Sequence, residues 1–314
     1  MRILAIVNTK AGLGDAGLYE FLRVVGTTGA EITLRFMVSG STTKELVRDA
    51  DEFDRVIAAG GDGTVSSVCY ALRDVDVPIL AYPAGTANLL ALNLMMPLEP
   101  AELARIALSD CTVDLDLGEL VIGLPGDPAR RREGFVIAAG AGFDASIMES
   151  AQELKGSIGV AAYLVAAFQN LTPTVSHFTL ELDGETIHTE GIAVLIANVA
   201  RLQFDLTITH ESHPADGKFE VVVVRTRNAL ELLPAVWTAI VDRTTGLRPA
   251  KTAGLDVHSA SVIRIEADPP LPVQFDGEIT SECTPLEVRV LPRRARLLVS
   301  KSYRDILSHD LKKP

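Results

Sequence analysis

Arg55-Val-Ile-Ala-Ala-Gly60-Gly-Asp-Gly-Thr64-Val-Ser-Ser-Val-Cys-Tyr-Ala-Leu72 is the stretch from which the fold is read. Val56 to Ala59 suit a strand buried on both faces, as in a parallel sheet. Val65, Val68, Cys69 and Leu72 then recur at i, i+3, i+4 and i+7, the period of one helix face, with Thr64 the expected N-cap. Between them, Gly60, Gly61 and Gly63 let backbone N–H groups approach a ligand without a Cβ in the way, at the positive end of a helix. That geometry suits an anion. Asp62 would repel a bare phosphate, so a divalent cation between carboxylate and phosphate is expected, and with it a Mg-nucleotide. A glycine-rich turn with a solvated Asp is the plainer alternative.

Working outward toward the N-terminus, Ile3 to Val7 reads as a strand, followed by Asn8-Thr-Lys-Ala-Gly12 and then by Leu18, Phe21, Leu22 and Val25 at helical spacing. Gly12-x-Gly14-x-x-Gly17 matches the dinucleotide fingerprint formally. Its glycines begin five residues after the strand, and the next strand (Ile32, Leu34, Phe36) ends at Val38-Ser39 with no acid for a ribose, so a nucleotide-phosphate loop is the better reading. A helix capped near Ser41 and using Leu46, Val47 and Ala50 precedes the opening stretch. On its other side, Ile79 to Tyr82 is a strand, Pro83-Ala-Gly-Thr-Ala-Asn88 a polar turn, and Leu89 begins a Leu-rich helix. Alternating strand and helix predicts a parallel sheet with helices on both faces. The turns after Val7, Ala59 and Tyr82 then open at one edge and can converge on one ligand. After a helix near Leu103 to Leu108, Val113-Asp-Leu-Asp-Leu-Gly alternates, so Asp114 and Asp116 share a face, solvated or turned to the cleft.

From about Glu119 the pattern changes to strand after strand. Phe178 to Leu182, Asp183-Gly184 and Thr186 to His188 form a hairpin pattern. Ile192 to Ala197, Leu206 to Thr209, Phe219 to Val224, Val262 to Ile265 and Leu286 to Val290 continue it, giving a mainly antiparallel β-sandwich-like second domain. Two apolar helices are expected near Ile158 to Phe168 and Leu230 to Val241, as core or as a wall for a lipid. In Val273-Gln-Phe-Asp-Gly-Glu278, the carboxylates of Asp276 and Glu278 fall on one face if the segment is extended, and can accept a proton and hold a metal; a hairpin turn is an equal alternative.

The 314 residues, 47% apolar and 22% charged, allow two globular domains, and the net charge of −12 argues against a nucleic-acid partner. Cys69, Cys111 and Cys283 form no metal or disulfide pattern and are expected to be reduced core residues. No secretory leader is evident and no apolar run reaches about 18 residues, which leads to a cytoplasmic expectation.

Together these motifs resemble the diacylglycerol kinase catalytic fold shared by bacterial lipid kinases, sphingosine kinases and ceramide kinases. The residues carrying the resemblance are Asn8 to Gly12, Gly60-Gly-Asp-Gly-Thr64, Pro83-x-Gly-Thr-x-Asn88, Asp116-x-Gly118, Ala161 to Phe168, Ala215-Asp-Gly-Lys-Phe219 and Phe275-Asp-Gly-Glu278. The resemblance implies an α/β domain of residues 1–118 plus about 300–314, a β-rich substrate domain of 119–299, and an active site in the cleft between them. ATP would be held by Asn8, Thr9, Lys10, Ala11, Gly12, Gly61, Asp62, Gly63, Thr64, Val65, Ser66, Ser67, Thr86 and Asn88. The resemblance makes Asp276 the base, with Glu278 beside it and the two roles exchangeable. It puts Mg2+ with Asp62, Asp116 and Glu278, and a structural cation near Asp216. Leu89 stands where many members have an acid, and Met37-Val-Ser-Gly-Ser41 replaces a nucleotide-contacting segment.

The function expected is ATP-dependent phosphorylation of a lipid hydroxyl, diacylglycerol or a relative, by an enzyme that touches the inner membrane face transiently. A homo-oligomer remains open. The alternatives are a soluble-substrate kinase of the NAD kinase type and a nucleotide-binding module without turnover.

Overall fold

The computed structural model describes residues 1–11, 16–123, 126, 130–142, 174–199, 201–202, 206–207, 213–225 and 254–310. Gly12 and Gly14, and the two apolar helices expected near 158–168 and 230–241, lie outside the described residues.

Strands β1 (Arg2–Asn8), β2 (Glu31–Met37), β3 (Arg55–Gly60) and β4 (Ile79–Pro83) pair in parallel in the order β2-β1-β3-β4. The helices between and after them are α1 (Ala16–Gly26), α2 (Thr43–Leu46), α3 (Asp62–Ala71), α4 (Leu89–Asn93) and α5 (Pro100–Ala107). All six residues of β3 are buried, which is why its apolar run does not alternate. α2 is a single turn, because its capping box is Thr42 with Glu45 and the chain leaves the helix at Val47, short of the expected Ala50.

The second half contains β5 (Thr112–Ile122), β6 (Arg131–Phe135), β7 (Ala138–Ala141), β8 (Ser176–Leu182), β9 (Glu185–Gly191), β10 (Ala193–Ala197), β11 (Arg201–Leu202), β12 (Leu206–Thr207) and β13 (Phe219–Val224). After these come β14 (Leu255–Ala260), β15 (Val262–Asp268), β16 (Pro272–Phe275), β17 (Glu278–Cys283), β18 (Leu286–Leu298) and a closing helix α6 (Lys301–Asp310). Strands β14-β13-β10-β7-β16-β17 form an antiparallel sheet. It faces the antiparallel part of the large sheet across a second core containing Phe135, Phe178, Phe219, Val273 and Leu286. The Asp183-Gly184 hairpin is present, with φ of 49° and 91°, both central residues left-handed.

Two long strands carry the chain between the halves. β5 and β18 pair antiparallel from Thr112↔Leu298 to Ile122↔Leu286, and β18 also meets β4 in parallel at Leu297↔Ile79. One sheet therefore runs through both cores, and the parallel domain is fixed to the sandwich by backbone hydrogen bonds. Tyr303 and Leu307 of α6 pack against the first core. Cys69 and Cys111 are buried as expected, but Cys283, at the end of β17, is exposed.

Candidate active site

The turns after β1, β3 and β4 are knitted together at the carboxyl ends of their strands. Asn8 donates its side-chain N–H to Thr64 Oγ1 at 2.8 Å and accepts the Lys10 N–H at 3.0 Å. A Cβ on Gly85 would stand 2.4 Å from the Gly61 Cα, so these two turns touch backbone to backbone and only glycine fits. Asn88, left-handed at φ 50°, clasps Gly85 by accepting its N–H at 2.8 Å and donating to its carbonyl at 2.7 Å. Helix α3 starts at Asp62 with Gly61 as N-cap, two residues before the expected Thr64 cap, because the Thr64 hydroxyl is occupied by Asn8. Gly61 makes no side-chain cap bond, so the first N–H groups of α3 are left for solvent or a ligand.

Asp62 performs a task the sequence does not announce. Its Oδ2 accepts the Leu89 N–H and its Oδ1 the Leu90 N–H, both at 3.0 Å, so it caps α4 from a neighbouring turn. Burial raises its pKa, and those two N–H groups work against the rise.

Asp276 and Glu278 do not share a face. Asp276 and Gly277 are the two left-handed residues, at φ 46° and 82°, of the tight turn joining β16 to β17. The turn sends them apart. Asp276 is buried: Oδ1 accepts the Ile137 and Ala138 N–H groups at 2.9 and 3.0 Å, Oδ2 accepts that of Val136 at 3.1 Å, and the Ser66 hydroxyl bonds to it. Burial pushes its pKa up to about 6 against the pull of these donors. Glu278, the first residue of β17, is exposed instead, and a Cβ on Gly63 would meet its Oε1 at 2.7 Å. The turn thus sets a carboxylate against the first turn of α3.

Glu278 and Gly63 line one end of a cleft of about 910 Å3 between α3, β6 and the β16–β17 hairpin. Lys44, Ser67, Tyr70, Arg131, Arg132 and Glu133 line the rest. Burial raises the Glu133 pKa, Arg131 opposes this, and the nearby charges of Glu278 and Glu282 add to it. Arg131 bridges Glu133 at 3.5 Å and Glu282 at 3.1 Å, tying β6 to the hairpin.

Asp116 lies apart, at the bulge where the β5–β18 register shifts between Leu291 and Ala295. The strand does not present it to solvent beside Asp114: it is fully buried, accepting the Arg293 N–H at 2.8 Å and the Gly217 N–H at 2.6 Å. Burial raises its pKa, those two donors lower it, and the charge of Asp216 raises it further.

Two family models cover most of the chain: residues 2–120 match the diacylglycerol kinase catalytic domain, and residues 137–299 match the YegS C-terminal NAD kinase beta sandwich-like domain. The chain belongs to the diacylglycerol kinase family. Membership makes it a phosphotransferase with an alcohol group as acceptor. A relative from Klebsiella pneumoniae (strain 342), named "Probable lipid kinase YegS-like", is 25% identical over 300 residues, 93% of this chain and 94% of the relative. The uncharacterized Synechocystis protein sll0036 is 30% identical over 249 residues, 78% of this chain; the match spans only 54% of that relative's length. A diacylglycerol kinase structure from Bacillus anthracis str. Sterne shares the fold, with a TM-score of 0.68, 19% identity and coverage of 96% of this chain and 98% of that one.

The residues singled out for this kinase fall into separate places. Asn8, Gly61, Gly63, Thr64, Thr86 and Asn88 belong to the three joined turns, with Thr9 anchored on the Met37 carbonyl and Lys10 and Ala11 in the first turn. Val65 is turned into the first core, and the buried Ser66 serves Asp276, so neither side chain faces the three joined turns. Ser67 opens on the cleft and bonds Thr43 at 3.2 Å. Asp62, Asp116 and Glu278, expected around Mg2+, are not gathered into one cluster, since among the described residues no three metal-ligating side chains converge; Asp216, expected near a separate cation, lies close enough to Asp116 for its charge to be felt there. Glu133 was missed, since a lone Glu in Arg131-Arg-Glu-Gly-Phe135 carries no motif. Its position comes from α3 crossing β6, where a Cβ on Gly134 would meet the Tyr70 ring at 2.2 Å.

Proposed function

We propose that this kinase transfers the γ-phosphate of ATP to the hydroxyl of a lipid, diacylglycerol or a relative of it, with Glu278 as the base. The observation that carries this reading is the exposed Glu278 carboxylate set against Gly63, at the first turn of the helix that follows the phosphate turn. The three glycine- and asparagine-rich turns suit the phosphates of ATP, since the Gly61–Gly85 contact leaves backbone rather than side chains facing the ligand. Glu278 takes the proton of the acceptor hydroxyl as that oxygen bonds to the γ-phosphorus and the bond from phosphorus to the bridging β,γ-oxygen breaks. Asp276, clasped by three backbone N–H groups and Ser66, holds the turn that aims Glu278.

Glu133, whose burial and acidic neighbours raise its pKa, fits Mg2+, which takes one or two carboxylates together with substrate phosphates. When bound, Mg2+ would neutralise charge on the transferring phosphates. A structural cation near Asp216 fits the mutual repulsion of Asp216 and the buried Asp116. A lipid acceptor would be met at the inner membrane face; no helix among the described residues is long and apolar enough to cross a membrane. The NAD kinase-type alternative draws on the family description of the second domain. Transfer of labelled phosphate from ATP to a total lipid extract, with the product identified by mass, tests the reading; label confined to the water phase would refute it.

A further inference from the structure

Glu119 is a buried carboxylate with more positive partners than it needs. Its side chain is 4% exposed, on β5; it accepts from Tyr70 Oη at 2.7 Å and from Arg132 at 3.0 Å, and forms an ion pair with Arg289 at 2.6 Å. Two guanidiniums on one carboxylate leave one positive charge unneutralised. Arg132 carries that surplus toward the cleft: its side chain is 59% exposed, and one of its five N–H donors is used on Glu119. Arg73 lies on the same wall, stacked 4.3 Å over the Tyr70 ring, and shares its charge with Asp74 at 3.7 Å. Asp74, Glu133 and Glu278 also line the cleft, so it is the surplus on Arg132, and not the cleft as a whole, that favours an anionic ligand.

The position is informative. Tyr70 is seven residues beyond Gly63 on α3, so this wall lies about 10 Å along the helix from the end where Glu278 meets the phosphate turn. We propose that Arg132, held by Glu119 and flanked by Arg73, forms a second phosphate-binding subsite of the cleft, distinct from the phosphate turn. A planar fork with its stem fixed by a buried carboxylate is pre-oriented for phosphate oxygens. The phosphate belongs either to the nucleotide or to a phosphate-bearing acceptor headgroup. The inference rests on the kinase reading only in taking this cleft as the place where substrates meet.

Calorimetric titration of the full chain with ATP, and separately with glycerol 3-phosphate, compares wild type with Arg132→Ala and Arg132→Lys. Glu119 keeps Tyr70 and Arg289 in both variants, so both should melt near wild type. Arg132→Ala should weaken one ligand about tenfold or more, the scale of a lost charge-assisted hydrogen bond, with Arg132→Lys recovering only part. A loss on ATP assigns the subsite to the nucleotide, and a loss on glycerol 3-phosphate assigns it to the acceptor. Unchanged affinity for both ligands, or full recovery by lysine, would overturn the subsite. Neither titration requires turnover, so an absence of lipid phosphorylation would refute the kinase reading and leave this result standing.

Discussion

Glu278 Oε1 stands 2.7 Å from the point that a β-carbon on Gly63 would occupy. The neighbour is the far end of a flexible side chain, so Gly63→Ala should be accommodated by turning Glu278 aside. We expect a protein that melts near wild type, with turnover reduced more than ATP affinity. Calorimetry beside a phosphorylation assay reads both; a collapse of ATP binding with normal turnover per bound nucleotide would show that the methyl blocks the phosphate instead.

Gly85 is a harder case, because the added β-carbon would lie 2.4 Å from the Gly61 backbone and 3.0 Å from Asn88 Oδ1. The nearest atoms are those of the Gly61 backbone, which leaves it no cheap escape. Gly85→Ala should spread the second and third turns and weaken ATP binding by an order of magnitude or more, with a lower Tm. An unchanged ATP affinity would remove the turn after β4 from the nucleotide site.

Asp62→Ala removes the acceptor of the Leu89 and Leu90 N–H groups. The expected cost is about 1 kcal/mol, the scale of a lost helix cap, read by denaturant titration. Asp62→Asn, which keeps one acceptor oxygen, should fall between. Full stability in both variants would leave the α4 cap without energetic weight.

Asp276 gives a pH dependence with a definite sign. Its folded pKa, about 6, lies above the value of an unfolded aspartate, so the folded state binds the extra proton between about pH 4 and pH 6. Its contribution is complete below about pH 4 and is lost as pH rises through 6. Asp62 and Asp116 are shifted in the same direction. Comparing the stability of wild type and Asp276→Asn at pH 4.5 and pH 7.5 isolates the residue: the variant should show the smaller fall. An equal fall in both would place the titration elsewhere.

The parallel half of the fold was legible because each strand-to-helix unit carries its own signal, with apolar runs in β1, β3 and β4 and glycine or asparagine in the turn that follows. The joining of those turns through Gly61 and Gly85 was foreseen only as convergence. What escaped was long-range. Asp62 caps a helix that begins 27 residues later, and Asp116 meets Arg293 across a bulge 177 residues away. The Asp-Gly-Glu segment has two open geometries in the sequence, and the tight turn prevails because Asp276 finds its donors on Val136, Ile137 and the first residue of β7, 138 to 140 residues earlier. Neither propensity nor periodicity encodes such pairings; they exist only once the two sheets have packed.

The central claim is that Glu278 performs the proton chemistry while Asp276 shapes the turn that presents it. Glu278→Gln keeps the size of the side chain and removes its basicity, and the position is exposed, so folding should be unaffected. Lipid phosphorylation and calorimetric ATP titration on this one variant decide the matter. The account predicts turnover reduced by at least about a hundredfold, the usual scale of a general base, with ATP affinity within a few-fold of wild type. Turnover near wild type in Glu278→Gln would contradict it.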